Sequence, residues 1–270
     1  MSVGLAGLRA LTTRGATFVA QSLVVAHAEV LKLRHDPTEL VTRAVQPVLW
    51  LIVFGGVMAR IHGIPTGTLG YIDFLTPGVL AQSSLFVAIF YGINVIWERD
   101  LGILVKYIAS PAARGALVLG KGLAAGIRGL SQAVIIFVVA ALLGVRLNFT
   151  PTSIAILIVT ILLGAAIFCS FSLIIACIVK TRDRFMGIGQ ILTMPLFFAS
   201  NAIYPIALMP TWLGAIARFN PLTYQVDALR TVMLPGVESS LGIGVDLGVM
   251  TGVLVVLLAL AARIYPTILY

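Results

Sequence analysis

Charge is what this chain has least of. Asp, Glu, Lys and Arg make up 10% of its 270 residues, against 60% for apolar types. A soluble domain carries about 25% charge, so a molecule wetted on all sides is excluded. Acids are the rarer sign, 10 against 18 Lys and Arg. No charge of either sign falls between Phe74 and Trp97 or between Ser153 and Val179. Ion-coupled carriers keep acids inside their spans because proton and sodium relays need them, so the gap weighs against that class. Cysteine is limited to Cys169 and Cys177, in one apolar run. Their helical spacing puts them about 12 Å apart, too far for a disulfide, and no metal-ligand spacing exists. No HExxH pair, nucleophile elbow or paired intramembrane carboxylate is present, so the motifs of a hydrolytic or metal enzyme are missing.

What the chain does have is long apolar sequence, with a mean hydropathy of +1.08. About 20 mostly apolar residues cross the hydrocarbon of a bilayer. The pattern predicts an all-α membrane protein with six spans, at about 44–61, 74–97, 124–144, 153–179, 185–200 and 243–262. The net charge of +8 lies in the short loops between them, which is the positive-inside pattern rather than a nucleic-acid-binding face. Six spans put both termini on one side. With that side cytoplasmic, Arg9, Arg14, Lys32, Arg34, Arg43, Arg99, Lys106, Arg114, Lys121, Arg128, Lys180, Arg182, Arg184 and Arg263 lie inside. Only Arg60, Arg146, Arg218 and Arg230 lie outside. The expected location is the plasma (cytoplasmic) membrane of the cell.

The segment 1–36 reads as a cytoplasmic N-terminus. Ala26-His27-Ala28 loosely mimics a signal-peptidase site, but Lys32 and Arg34 follow at once, and positive charge there opposes export. An amphipathic helix on the inner face fits better, with Phe18, Val25, Val30 and Leu33 toward lipid. Asp36-Pro37-Thr38-Glu39 reads as a helix start for the membrane domain, 37–270. Gly115 to Gly122 comes close to a P-loop, with its glycine spacing and Lys121, but it lacks the magnesium-binding Ser or Thr and runs into a span. The loop 98–121 opens with the mixed charges Glu98-Arg99-Asp100. A short helix within it would carry Leu101, Leu104, Val105 and Ile108 on one side. From 201 to 236 the chain is apolar but cut by Pro205, Pro210, Pro221 and Pro235. Two short helices fit there, Thr211 to Phe219 and a second capped by Asn220 and starting at Pro221.

Two stretches carry a family resemblance. WERDLGILVKYIASP from Trp97 to Pro111, continuing to Leu119-Gly120-Lys121, resembles the loop after the second span of ABC-2 type transporter permeases. NPLTYQVDALR from Asn220 to Arg230 resembles the signature before that family's last span. Phe74-Leu75-Thr76-Pro77-Gly78 also fits, and the likeness is nearest to the daunorubicin-resistance and nodulation-export branch. The resemblance implies a transport subunit of an exporter that does no chemistry itself. A separate ATPase, in two copies, would bind ATP and magnesium, and a second permease copy would complete a homodimer or heterodimer. It implies a coupling helix within 98–114 and a re-entrant helical hairpin in 201–236. The N-terminal helix would be the connecting helix along the membrane. The substrate class implied is hydrophobic or amphiphilic (a drug, antibiotic or lipid-like molecule), with a lipid-linked saccharide as the alternative. A proton-coupled secondary carrier is the rival outside the family.

Individual residues follow from these readings. Glu98 and Arg99, with Asp100, Lys106 and Arg114, are the expected ATPase contacts, because charged pairs at a helix end set register. Asn220, Pro221, Tyr224, Asp227 and Arg230 belong to the outer gate, with Asp227 and Arg230 spaced to pair. Gly122 and Gly126 form a small-residue packing face. Arg128 is expected to snorkel to the inner surface. Phe86, Phe90, Phe168 and Phe197 are candidates to line a greasy path, and Asn94 to hydrogen-bond across a dimer.

Overall fold

The computed structural model describes residues 17–28, 31, 38–61, 64–67, 69–109, 112–179, 181–265 and 268. Arg9, Arg14, Val30, Lys32, Leu33, Arg34, the Asp36-Pro37 helix start and Lys180 lie outside the described residues. The regular elements are helices throughout the described residues: α1 (Thr17–Ala28), α2 (Thr38–Leu49), α3 (Gly55–Ile61), α4 (Tyr71–Asp100), α5 (Ile103–Ala109), α6 (Arg114–Leu142), α7 (Pro151–Val179), α8 (Arg182–Phe198), α9 (Thr211–Phe219), α10 (Pro221–Met233) and α11 (Ile243–Ile264). Pro47 removes a ladder bond from α2, and the helix widens into a π-turn at Trp50–Phe54 before continuing as α3.

Five helical segments are long and apolar enough to cross a membrane: Thr42–Ile61, α4, α6, α7 and α11. The remaining expected span, 185–200, corresponds to α8, which has 17 residues and rises about 25 Å. Its first turn carries Arg182, Asp183 and Arg184, which shortens its apolar part further.

The bundle is built around α7. This helix carries no charge and packs against α6, α4, α11 and α10. Gly122 and Gly126 let α6 approach it closely. A β-carbon at Gly122 would lie 2.9 Å from the Ala166 Cα, and one at Gly126 would lie 2.6 Å from Leu162 Cδ2. The two helices therefore touch backbone to side chain along this face, as small residues allow. Gly122→Val is expected to destabilise the bundle by about 1–3 kcal/mol through overpacking, read as a lower melting temperature in detergent.

The third span starts earlier than its composition implies. Arg114 and Lys121 are polar enough to suggest a loop up to 121, yet α6 begins at Arg114 and runs straight through Lys121. The charge is tolerated because it is paired internally, as described below. The N-terminal helix also differs from expectation. Phe18 packs on Gly115 and Val25 on Gly120 of α6, so these side chains cover a helix rather than lipid. Gln21 Oε1 accepts from the Ala113 backbone N–H at 3.1 Å, beside the start of α6.

Candidate functional site: charged ends and a polar middle

One end of the bundle, expected to face inward, forms where α4 stops. Gly102, at φ 69°, lets the chain reverse after Asp100 and lay α5 back on α4. Only Leu104 of the expected apolar side is buried, while Leu101 and Val105 are more than half exposed. The side chain of Ile108 lies outside the described residues. Buried Leu104 and half-buried Tyr107 hold this seven-residue helix, and Ile103, Val105 and Lys106 are left exposed.

Glu98 does not face this surface. It is buried, and Lys121 Nζ donates to its Oε2 at 2.6 Å. Lys121 in turn lies 5.6 Å from the Tyr107 ring centre and 6.0 Å from that of Tyr91. The pair ties α4 to α6 across the core. Helical periodicity turns Glu98 inward, away from the surface expected for it, and Arg99 and Asp100 outward. Arg99 Nη2 donates to Asp100 Oδ1 at 2.8 Å, and Arg182 Nη2 donates to Asp100 Oδ2 at 2.8 Å. The Arg182 guanidinium also stacks 3.7 Å from the Trp97 ring centre. Two arginines on one partly exposed carboxylate bridge α4 to α8. Lys106 and Arg114 are exposed nearby in sequence, on α5 and at the start of α6.

Arg128 corrects a second expectation. It lies midway along α6, is 6% exposed, and places its guanidinium 5.0 Å from the Tyr91 ring centre. It is turned into the bundle, where the aromatic face supplies the cation contact. No carboxylate pairs with it among the described residues.

The opposite end is organised by α10, which buries itself among α4, α7 and α11. Asn220 caps it, its Oδ1 accepting from the Leu222 N–H at 3.0 Å, and Pro221 takes the first helical position. The same Asn220 amide donates to the Leu196 and Ala199 carbonyls at 2.7 and 2.8 Å, which fastens α10 to the end of α8. Tyr224 Oη donates to the Arg218 carbonyl at 2.6 Å and so clasps α9. Gly78 sits so close to Ala202 that a β-carbon would overlap its backbone.

Asp227 and Arg230 share a helix turn but do not form an ion pair with one another. Arg230 Nη2 donates to the Asn201 carbonyl at 2.8 Å and the Phe74 carbonyl at 3.3 Å, with the guanidinium 3.9 Å from the Phe74 ring centre. Burial pulls it down to about 10, against the opposing pull of the Asp227 charge, so it stays cationic at neutral pH. Asp227 turns instead to the loop before α11. It accepts from the Ser240 N–H at 2.8 Å and from the Ser239 and Ser240 hydroxyls at 3.1 Å. Ser239 Oγ also lies 2.8 Å from Asp246 Oδ2, so one hydroxyl stands between two carboxylates. Pairing fails at i, i+3 because each partner finds closer groups on other elements.

Between the two ends, α2, α4 and α8 enclose a cavity of about 340 Å³. Phe86 and Phe90 line it, with ring centres 6.1 Å apart and planes 20° from parallel. Phe168 and Phe197 lie elsewhere, packed in the core, and Asn94 is exposed on the outside of the described chain. Sequence reading missed Gln82 in this wall, and also Gln225, whose amide fits against Gly164 of α7. It missed Arg182, Ser239, Ser240 and Asp246 as partners too. Only their three-dimensional neighbours identify them, since the sequence does not say which helix or loop each one meets.

The molecule thus has five spanning-length helices, a charged end beside a short exposed helix, and a capped helical pair at the other end. This arrangement has relatives. The ABC-2 type transporter family matches residues 20–234. The transport permease ycf38 of Cyanophora paradoxa is 26% identical over 218 residues, covering 79% of this chain and 74% of the relative. Daunorubicin resistance ABC transporter permease protein DrrB1 of Streptomyces coeruleorubidus is 24% identical over 259 residues, 93% of this chain and 87% of the relative. Nodulation protein J of Bradyrhizobium diazoefficiens is 30% identical over 194 residues, 70% of this chain and 71% of the relative. The match runs from within α1 to the end of α10 and takes in both charged ends, so this multi-pass membrane chain belongs to the ABC-2 type transporter family.

Proposed function

We propose that the chain is the transmembrane half of an ATP-driven exporter in the cytoplasmic membrane, with both termini inside. Two copies of a separate ATPase bind ATP and magnesium, and a second permease copy completes the pathway. The ATPase docks on α5 and on the Arg99–Asp100–Arg182 cluster, with Lys106 and Arg114 on the same side of the membrane. Closure of the ATPase dimer pushes α5, and α4 and α6 carry the movement into the bundle as rigid bodies. In this reading α8 with Ala199–Asn201 is the fifth crossing, and α9 and α10 form a re-entrant pair that closes the outer face. The substrate is hydrophobic or amphiphilic and moves outward. The observation that carries the docking assignment is the exposed α5 beside a charge cluster that the core does not need.

Asp100→Arg tests it. A partly exposed ion pair contributes about 0–1 kcal/mol, so membrane content and melting should stay close to those of the parent. Recovery of the ATPase by affinity purification in mild detergent should fall at least about tenfold, since a contact that sets register is reversed in sign. Vanadate-sensitive hydrolysis in the purified complex should fall with it. A parent chain that purifies alone and transports in vesicles without ATP would sink the exporter reading and favour a secondary carrier.

A further inference from the structure

Arg128 is a positive charge that the fold does not answer. It lies about 21 Å from either end of α6, a helix long enough to cross the membrane, and it is buried. Its guanidinium meets the face of the Tyr91 ring on α4. Its Nε is enclosed and has no acceptor. The two terminal nitrogens have no acceptor among the described residues either, and unlike Nε they are not enclosed. A ring face returns only part of what a guanidinium loses on leaving water. Charges inside spanning helices normally pair with one another or lie on a substrate pathway. A second copy of this chain cannot supply the counter-charge from mid-span. The acids of its spanning helices lie near helix ends, Asp73, Glu98 and Asp100 on α4 and Asp246 on α11.

The open side of the guanidinium sets the ligand chemistry. Its terminal nitrogens form a planar fork of donors, which two oxygens of one carboxylate or phosphate satisfy together. The setting is apolar. Ala124 and Ala125, one turn earlier on α6, are buried, and Gly129 follows. Low polarity strengthens the attraction for an anion and the repulsion of a cation alike. A hydrated inorganic anion would lose its water here for a single arginine. An anion carried on an apolar body recovers that cost by burying the body.

We infer that Arg128 is the recognition point for the carboxylate or phosphate head of an anionic amphiphile, held at the α4–α6 seam beside Tyr91. The inference rests on the exporter reading and narrows its substrate class to one sign of charge. It also places recognition next to the force-bearing seam. The Tyr91 ring stands between Arg128 and Lys121, and Lys121 is the partner of Glu98 at the end of α4.

The test uses photoreactive probes that share a dodecyl chain and carry a phosphate, a glucosyl or a trimethylammonium head, with the reactive carbon next to the head. Native membranes carrying the full complex are labelled without ATP, and the labelled peptides are mapped. The phosphate probe should mark α4 and α6 around Tyr91 and Arg128 at least about tenfold more strongly than either other probe, as a two-point contact to a charged group requires. Arg128→Met should remove that preference without lowering the melting temperature, because it takes away a buried charge rather than a packing group. Arg128→Lys keeps the charge and loses the fork, and it serves if the methionine variant does not fold. It should weaken phosphate labelling about threefold to tenfold and keep the order of the three probes. Equal marking by the three probes overturns the inference. So does phosphate labelling that is unchanged in either folded variant. Inorganic phosphate that competes as well as dodecyl phosphate also overturns it, in favour of a small-anion site. ATP-driven export of the phosphate probe, measured in vesicles from the same membranes, reads the transport assignment separately. Export without labelling at the seam overturns the Arg128 site and keeps the exporter. Labelling at the seam without export overturns the exporter reading and keeps the site.

Discussion

Glu98→Gln is expected to destabilise the permease sharply, and replacing Glu98 and Lys121 together by methionine is expected to restore its stability. Lys121 and Glu98 are both nearly excluded from solvent, with side chains 2% and 7% exposed. Removing the carboxylate takes the ion-pair partner from an ammonium that lies in the core beside the Tyr91 and Tyr107 rings. Breaking a buried pair by neutralising one member costs about 3–5 kcal/mol. A domain has only about 5–15 kcal/mol to lose. Glu98→Gln and Lys121→Met alone should therefore each lower the yield of monodisperse protein sharply and depress its melting temperature. Glu98→Met with Lys121→Met replaces the pair by apolar groups of similar length, an exchange that is often neutral or stabilising. Recovery of the parent melting temperature in the double variant would show that the pair serves the fold. If the double variant melts normally but no longer couples ATP hydrolysis to export, the pair also transmits the push from α5. Normal melting of Glu98→Gln alone would contradict the burial of the pair.

This result bears on why the site was only partly legible in the sequence. The spans were readable because lipid imposes one periodicity-independent demand, a sufficient length of apolar residues. The proline-cut segment was readable because Pro210 and Pro221 fix helix starts locally, and α9 and α10 follow at once. Glu98 was misplaced because a charge beside a loop looks exposed in one dimension. Whether it turns inward depends on a lysine 23 positions later, on another helix. Arg128 was misplaced for the same reason, since its cation contact is Tyr91 on α4. Asp227 and Arg230 show the limit of spacing rules, which describe an isolated helix. Here α10 is surrounded, and the loop at Ser239–Ser240 and the carbonyls of Phe74 and Asn201 compete successfully for the two charges.

Asn220 offers the sharpest separation of local from tertiary structure at the α10 end of the bundle. Its oxygen does local work, capping α10 through the Leu222 N–H, and its nitrogen does tertiary work, donating to Leu196 and Ala199 at the end of α8. Asn220→Ala removes both. A lost cap costs about 0.5–2 kcal/mol, and each buried carbonyl left without a donor adds about 1–3 kcal/mol, so the variant should be severely destabilised. Asn220→Asp is the informative change. It keeps the capping oxygen and improves the charge at a helix N-terminus, but it replaces the donor with an oxygen that faces two carbonyls. Helix content by circular dichroism should then stay close to that of the parent, while the α8–α10 junction opens. A cysteine pair placed at exposed positions on α8 and α9, such as Ile191 and Ile216, reports that opening through spin-label distances. Widening and heterogeneity in Asn220→Asp, with helix content retained, identify the amide as the fastener of the outer helical pair. An unchanged distance would mean that the packing of α10 against α4, α7 and α11 holds the outer face closed without it.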